Sequence, residues 1–338
     1  MRAWMVDRPG PAAGGPMRLV ERPEPTPRGC EVRVRVQVCG VCRTDLHLAE
    51  GDLEPRRHGV VPGHEIVGVV DAVGPDSTRF AVGDRLGIAW LRHTCGRCRF
   101  CARGDENLCL DPAFTGWDHD GGFAELATVD ERYAYRLPEA IDDLHVAPLL
   151  CAGIIGYRAL RRAALPPGGV LGIYGFGGSA HLTAQIAIAE GATVHVLTRS
   201  PAARTLALEL GAASAGDAAD RPPELLDSAI LFAPVGELVP VALEALDRSG
   251  TLAIAGIHLS DVPALDYQRH LFQEKQVRSV TANTRTDGEE LLALATRIGI
   301  RTTVTAYPLE RADEALVDLA EDHVTGAAVI QVSPRPRA

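Results

Sequence analysis

The sequence predicts an α/β protein in two parts, a doubly wound parallel sheet covered by helices on both faces and a second, β-rich domain. Three observations predict it. The chain has 338 residues, more than a single hydrophobic core usually sustains. Its first 150 or so residues read as short strands broken by Gly and Pro. From about 152 to 285 apolar strands alternate with Ala- and Leu-rich helices, the pattern of a parallel sheet buried on both faces.

Each element follows from local pattern. EVRVRVQV at 31–38 alternates outward Arg with inward Val, and EIVGVVDAVG at 65–74 is a second β-rich run. VLGIY at 170–174 is a strand, Ser179 to Glu190 a helix ended by Gly191, and TVHVL at 193–197 the next strand. Pro201 opens a helix that Gly211 closes. Strands are expected at SAILFA (228–233), TLAIAG (251–256) and VRSVTA (277–282), with a helix at 236–247 between the first two. The tail returns to a mixed pattern and ends in AAVIQV followed by SPRPRA. There is no internal repeat and no low-complexity block.

Composition narrows the function. Hydrophobic residues make up 46% and charged residues 23%, enough apolar surface to rule out wholesale disorder. The formal charge of −10 repels phosphate backbones and excludes a nucleic-acid partner. Basicity rests on Arg, Lys275 being the only lysine. Asp7, Arg8 and Pro9 interrupt the N-terminus where a secretory signal needs an unbroken apolar run. The most apolar stretch, Leu171 to Ala189, carries Gly175, Gly177, Gly178, Ser179, His181, Thr183 and Gln185, which argues against a membrane span. A cytoplasmic location is expected, where eight cysteines stay reduced and their clustering points to metal.

Cys95, Cys98, Cys101 and Cys109 lie in HTCGRCRFCARGDENLC at spacings of three, three and eight. Such a loop can wrap its sulfurs around a tetrahedral Zn²⁺ whose bonds replace the missing apolar core. An iron–sulfur cluster also uses close cysteines, but no proline follows the last thiol. A second set is dispersed: Cys42 in VCGVCRTDLH, His64 with Glu65 in PGHE, and Cys151 in PLLCAG. Two thiolates and one imidazole hold Zn²⁺ and leave a position open for substrate, the arrangement of a catalytic metal.

Together GVCRTDLH, PGHEIVG, the four-cysteine loop, GWDHDGGFAEL and LLCAG resemble the zinc-containing alcohol dehydrogenases of the medium-chain dehydrogenase/reductase family, in the family's order and over most of the chain. The resemblance implies a GroES-like catalytic domain, 1–151 with 286–338, and a Rossmann nicotinamide-cofactor domain, 152–285. It implies two zinc ions per chain, one structural and one catalytic on Cys42, His64 and Cys151, with Glu65 close to the metal and Asp45 orienting His64. The catalytic zinc would polarise the substrate oxygen, an alcohol being too weak an acid to ionise unaided at neutral pH. The family moves the proton out through a hydroxyl, the cofactor ribose and a histidine, and Thr44 and His47 match the two protein positions. Cys39 and Cys30 are left over, Cys39 reading as a buried small residue.

After VLGIY comes GFGGSA, in which Gly175, Gly177 and Gly178 permit a tight turn and close approach of backbone N–H groups to a pyrophosphate. The second strand ends in Thr198, Arg199 and Ser200 where an NAD enzyme would place a carboxylate on the ribose. A guanidinium and two hydroxyls suit a 2′-phosphate, so NADP(H) is favoured over NAD(H). Near the C-terminus Ala327 stands where relatives often carry an Arg directed at the phosphates, and the resemblance shifts that task to Arg43. Trp90 and Trp117 fall in segments that in relatives lie near the substrate cleft between zinc and nicotinamide, where they would wall an apolar pocket. The expected substrate is a small alcohol or aldehyde, with a homodimer or homotetramer as the assembly. The competing readings are a zinc reductase of another C=O or C=N group and, in a different class, a non-catalytic cofactor-binding protein that kept the fold.

Overall fold

A computed structural model describes residues 1–333, so the last five residues of the SPRPRA tail lie outside the described residues. The chain divides into two compact units. One comprises Met1–Cys151, Ala282–Thr296 and residues from Arg301 onward, and the other Ala152–Thr281 with Arg297–Ile300.

The first unit is built on a seven-stranded sheet. Its strands run in the order Val304–Pro308, Ala327–Gln331, Glu31–Val41, Glu65–Val73, Arg85–Ile88, Ala134–Arg136, with Leu126–Asp130 also pairing Glu31–Val41. All pairings are antiparallel except that of Val304–Pro308 with Ala327–Gln331. The Glu31–Val41 strand shows why the sheet forms. Val32, Val34 and Val36 are fully buried, while Arg33 turns outward to grip both carboxylate oxygens of Asp71 on the neighbouring strand, at 2.9 and 3.2 Å. The register shifts between Val36 and Val38, and from Gln37 onward every residue of the strand is buried. The strand thereby leaves the surface and delivers Cys42, partly buried, beside His64.

One glycine in that run is dictated by its partner. Gly40 lies opposite Glu65 in register, and a Cβ on it would come within 1.9 Å of Glu65 Oε2. The missing side chain is the space the glutamate occupies. The helix Arg43–Glu50 follows at once, capped by Cys42. The Cys42 sulfur accepts the N–H of Thr44, and Asp45 reciprocates by accepting the N–H of Cys42.

The second unit carries a six-stranded, wholly parallel sheet in the order Ser214–Gly216, Thr193–Leu197, Val170–Tyr174, Leu226–Leu231, Leu246–Ile254, Gln276–Ser279. The chain moves outward to one side of Val170–Tyr174 and then returns to the other, so the switch point lies at the C-terminal end of that strand. Its interior is Leu171, Ile173, Tyr174, Ile230, Leu231 and Leu252, all fully buried.

The strands 170–174 and 193–197 have the limits the sequence predicts, and the later ones slide by a few residues. Two of the elements that the pattern does not predict are informative. Ser214–Gly216 has no β-branched or aromatic residue and becomes a strand through parallel pairing with His195–Leu197. The helix Ala152–Ala163 begins directly after Cys151, with Ile154, Tyr157, Leu160 and Ala163 on its buried side. No described helix is long and apolar enough to cross a membrane.

Candidate functional site

The four-cysteine loop closes on itself. The sulfurs of Cys95, Cys98, Cys101 and Cys109 all lie within 4.8 Å of one another, with Cys98 and Cys101 at 3.5 Å. Backbone N–H groups already point at them, from Cys95 to Cys109 Sγ at 3.2 Å and from Cys98 to Cys95 Sγ at 3.4 Å. Backbone donors from Cys101 and Leu110 draw the Cys98 thiol down to about 6, whereas burial and the adjoining sulfurs push Cys101 up to about 12. Four crowded sulfurs cannot all ionise without a cation among them. A tetrahedral Zn²⁺ fits this set.

The dispersed set also converges. Ligand atoms of Cys42, His64, Glu65 and Cys151 lie within 4.8 Å of one another, and Cys42 Sγ is 3.3 Å from His64 Nε2. They come from three local devices. Cys42 is the N-cap of a helix, His64 and Glu65 enter the Glu65–Val73 strand, and Cys151 ends the short helical turn Ala147–Leu150. Hydrogen bonding from Cys151 and the neighbouring His64 hold the Cys42 thiol well below its ordinary value. Burial opposes a charged His64, but the Cys42 sulfur and the Asp45 carboxylate overcome it and hold the imidazole well above its usual range. Burial pushes Glu65 well above the carboxylate range. Three acidic donors and one imidazole, His64 and Glu65 buried and the two cysteines partly so, call for a divalent cation. The site fits zinc by donor type and by spacing.

Behind the donors sits Asp45, 2% exposed. Its Oδ1 accepts the Gly63 N–H at 2.9 Å and lies 3.2 Å from His64 Nδ1, and its Oδ2 accepts the Cys42 N–H at 3.0 Å. The carboxylate fixes the imidazole with Nδ1–H inward and Nε2 towards the donor cluster. Cys39 is fully buried and its thiol is pushed up by burial.

Trp90 and Trp117 belong to one aromatic stack that starts at the metal site. The Trp90 ring meets the His64 ring edge-on at 5.0 Å and stacks on Phe114 at 4.9 Å and on Trp117 at 6.0 Å. Arg56 lies over the Trp117 ring at 3.8 Å and pairs with Asp118 at 2.7 Å. Phe114 and Arg56 escape a sequence reading, although Phe114 stands only three residues before Trp117.

Thr44 and His47 lie three residues apart on the Arg43–Glu50 helix, and so on one face. His47 Nδ1 lies 3.0 Å from Asp52 Oδ2, a partner that sequence alone did not indicate. Arg43 is exposed and ion-paired with Asp322, a carboxylate that would compete with a phosphate for its guanidinium. Ala327 donates its N–H to Thr303 within the sheet edge.

In the second unit Gly175, at φ +84°, makes the turn that a side chain could not: a Cβ would lie 2.8 Å from the Ala233 nitrogen. Gly177 is the N-cap of the helix Gly178–Ala189, no side chain caps that helix, and nothing lies within 4 Å of where a Cβ would stand. The first-turn N–H groups are left for a ligand, and the turn fits a pyrophosphate. Of the three residues ending the next strand, Thr198 is buried, and Ser200 caps the helix Pro201–Glu209 by accepting the Ala203 N–H. Arg199 is exposed, without an ion pair among the described residues.

A donor set of thiols, imidazole and carboxylate fit for a metal, with a glycine-rich turn at the switch point of a parallel sheet, defines the class of metal-dependent, nicotinamide-linked dehydrogenases. Comparison with known proteins agrees. Residues 28–139 match the alcohol dehydrogenase GroES-like domain, and residues 178–297 match the zinc-binding dehydrogenase family. The chain is 59% identical to the probable alcohol dehydrogenase AdhA of Mycobacterium tuberculosis, over 98% of this chain and 97% of that one. It is 34% identical to an alcohol dehydrogenase of Geobacillus stearothermophilus, over 94% and 95% of the two chains. Among solved structures, a cinnamyl alcohol dehydrogenase from Sorghum bicolor superposes with a TM-score of 0.88 at 28% identity, covering 100% and 99%. The alcohol dehydrogenase of Aeropyrum pernix does so with 0.88 at 29%, covering 98% and 100%. The chain belongs to the zinc-containing alcohol dehydrogenases of the medium-chain dehydrogenase/reductase family.

Proposed function

We propose that this zinc alcohol dehydrogenase transfers a hydride between NADP(H) and a primary alcohol or aldehyde with an apolar or aromatic body. The observation that carries the cofactor choice is the end of the second parallel strand, where Arg199 is exposed and unpaired and no carboxylate stands in Thr198–Arg199–Ser200 to repel a 2′-phosphate. The stack of Trp90, Phe114 and Trp117, starting at His64, supports the substrate class.

Zinc, when bound, supplies a Lewis acid that polarises the substrate oxygen. Cys42, His64 and Cys151 hold it, and Glu65 supplies a further oxygen donor at hand. Asp45 keeps His64 in the tautomer that presents Nε2. The Thr44 hydroxyl takes the proton released by the alcohol, and His47, whose ring Asp52 steadies, hands it on to solvent at the outer end of the path. The N–H groups of the Gly175–Gly178 turn take the pyrophosphate.

Relative kcat/KM for NADPH and NADH, measured with aliphatic, aromatic and sugar-derived aldehydes, tests the reading. At least tenfold preference for NADPH and for apolar or aromatic aldehydes is expected. A tenfold preference for NADH would overturn the cofactor choice, and activity confined to another C=O or C=N substrate would select the second reading.

A further inference from the structure

His181 is a buried histidine that the metal chemistry does not use. It lies in the first turn of the helix Gly178–Ala189 and is 2% exposed. Its ring Nδ1 lies 3.2 Å from the Gly177 carbonyl, which also accepts the backbone N–H of His181 at 3.1 Å. One carbonyl thus holds two donors from the same residue. With Nδ1 donating, Nε2 is an acceptor, and it is buried without a hydrogen-bond partner among the described residues. That is a cost which leucine at the same place would not incur.

The Gly177 carbonyl and the Gly178 N–H are two ends of one peptide plane. Flanked by two glycines, that plane meets little steric resistance to rotation. A rotation would swing the Gly178 N–H away from the helix mouth, where the dinucleotide turn needs it.

We propose that His181 is a positioning residue for the cofactor: its Nδ1–H pins the Gly177 carbonyl and so keeps the Gly178 N–H directed at the pyrophosphate. The inference rests on the dinucleotide reading of the Gly175–Gly178 turn.

The test is equilibrium binding of NADPH and NADH to the zinc-loaded chain, followed by protein fluorescence, together with thermal melting without nucleotide. Asparagine places a nitrogen donor near Nδ1, glutamine near Nε2, and leucine offers none. His181→Leu and His181→Gln should each weaken the tighter nucleotide about tenfold or more without lowering Tm, and His181→Asn should stay within about threefold of wild type. If His181→Leu does not fold, the contrast between His181→Gln and His181→Asn decides. Leucine and glutamine variants that bind like wild type, or an asparagine variant as weak as the others, overturn the inference. A wild-type chain that binds neither nucleotide overturns the cofactor reading itself.

Discussion

Replacing Asp45 by Asn changes one atom of the side chain, and it should release the catalytic metal while leaving the four-cysteine loop loaded. Asp45 only accepts: Gly63 N and His64 Nδ1 converge on Oδ1, and Cys42 N on Oδ2. An amide has one oxygen. Turned towards Gly63 and His64, it leaves its NH2 facing the Cys42 N–H, so one charge-assisted hydrogen bond of about 1.5–3 kcal/mol becomes a clash of donors. Turned the other way, it loses two. The surviving bonds drop from charged to neutral strength, roughly another 1 kcal/mol each, partly offset because Asn pays less to be buried than a carboxylate. The net is on the order of 2–4 kcal/mol, shared between fold and metal. Loss of a carboxylate that orients a ligating imidazole typically costs about 10- to 100-fold in metal affinity. The assay is zinc per chain after dialysis against a graded chelator, with the four-cysteine loop as internal standard. Asp45→Asn should lose one zinc at about 10- to 100-fold lower chelator strength than wild type, while the second stays. A variant that keeps both zincs like wild type would refute the orienting role. One that loses both together would show that the two sites do not act separately.

Cys109→Ser should bind one zinc fewer and unfold at lower temperature, because the 95–109 loop has little apolar core of its own; calorimetry with metal analysis reads both, and an unchanged Tm contradicts the structural role. His47→Gln removes the outer end of the proton path and should lower kcat by about 100-fold at neutral pH with partial recovery as pH rises, whereas full activity at neutral pH would remove His47 from the path. Glu131, 5% exposed, accepts bonds from Ser77 Oγ at 2.6 Å and from the N–H groups of Thr78 and Arg79 at 3.0 and 2.7 Å. Burial alone would raise its pKa, but these donors outweigh it and hold it below the usual glutamate value. Its folded-state value being depressed, its contribution is present above the unfolded pKa and fades as pH falls through the folded one. Glu131→Gln should therefore cost about 1.5–3 kcal/mol at pH near 7 and less below about pH 4, and a deficit in Tm that stays constant with pH would contradict this.

Sequence alone could reveal what is written in short spacings. Four thiols within fifteen residues have few ways to be spent in a reduced chain, and a glycine-rich turn between an apolar strand and a helix has a backbone reason. What it could not reveal depends on approach between distant segments. Asp322 lies 279 residues from Arg43, and Arg56 reaches Trp117 from a loop with no periodicity. Gly40 is a middle case. A glycine in an otherwise apolar strand signals a close approach, but only the register opposite Glu65 identifies what approaches. The strand Ser214–Gly216 was illegible because its neighbour, not its composition, makes it a strand.

The same distinction bears on how the cofactor is gripped. From the resemblance, Arg43 would stand in for the arginine that Ala327 replaces. In the fold, Arg43 is paired with Asp322, and the two side chains are 47% and 78% exposed. An exposed pair of this kind is worth about 0–1 kcal/mol, so a pyrophosphate can displace the carboxylate, but it gains only the difference between two paired states. On the proposed reading, phosphate is gripped by backbone N–H groups at the mouth of the Gly178–Ala189 helix, whose direction is set by peptide planes and not by a flexible charged side chain. Grip by backbone works only while those planes are held. That makes a residue behind the turn, such as His181, consequential for binding although it never touches the cofactor.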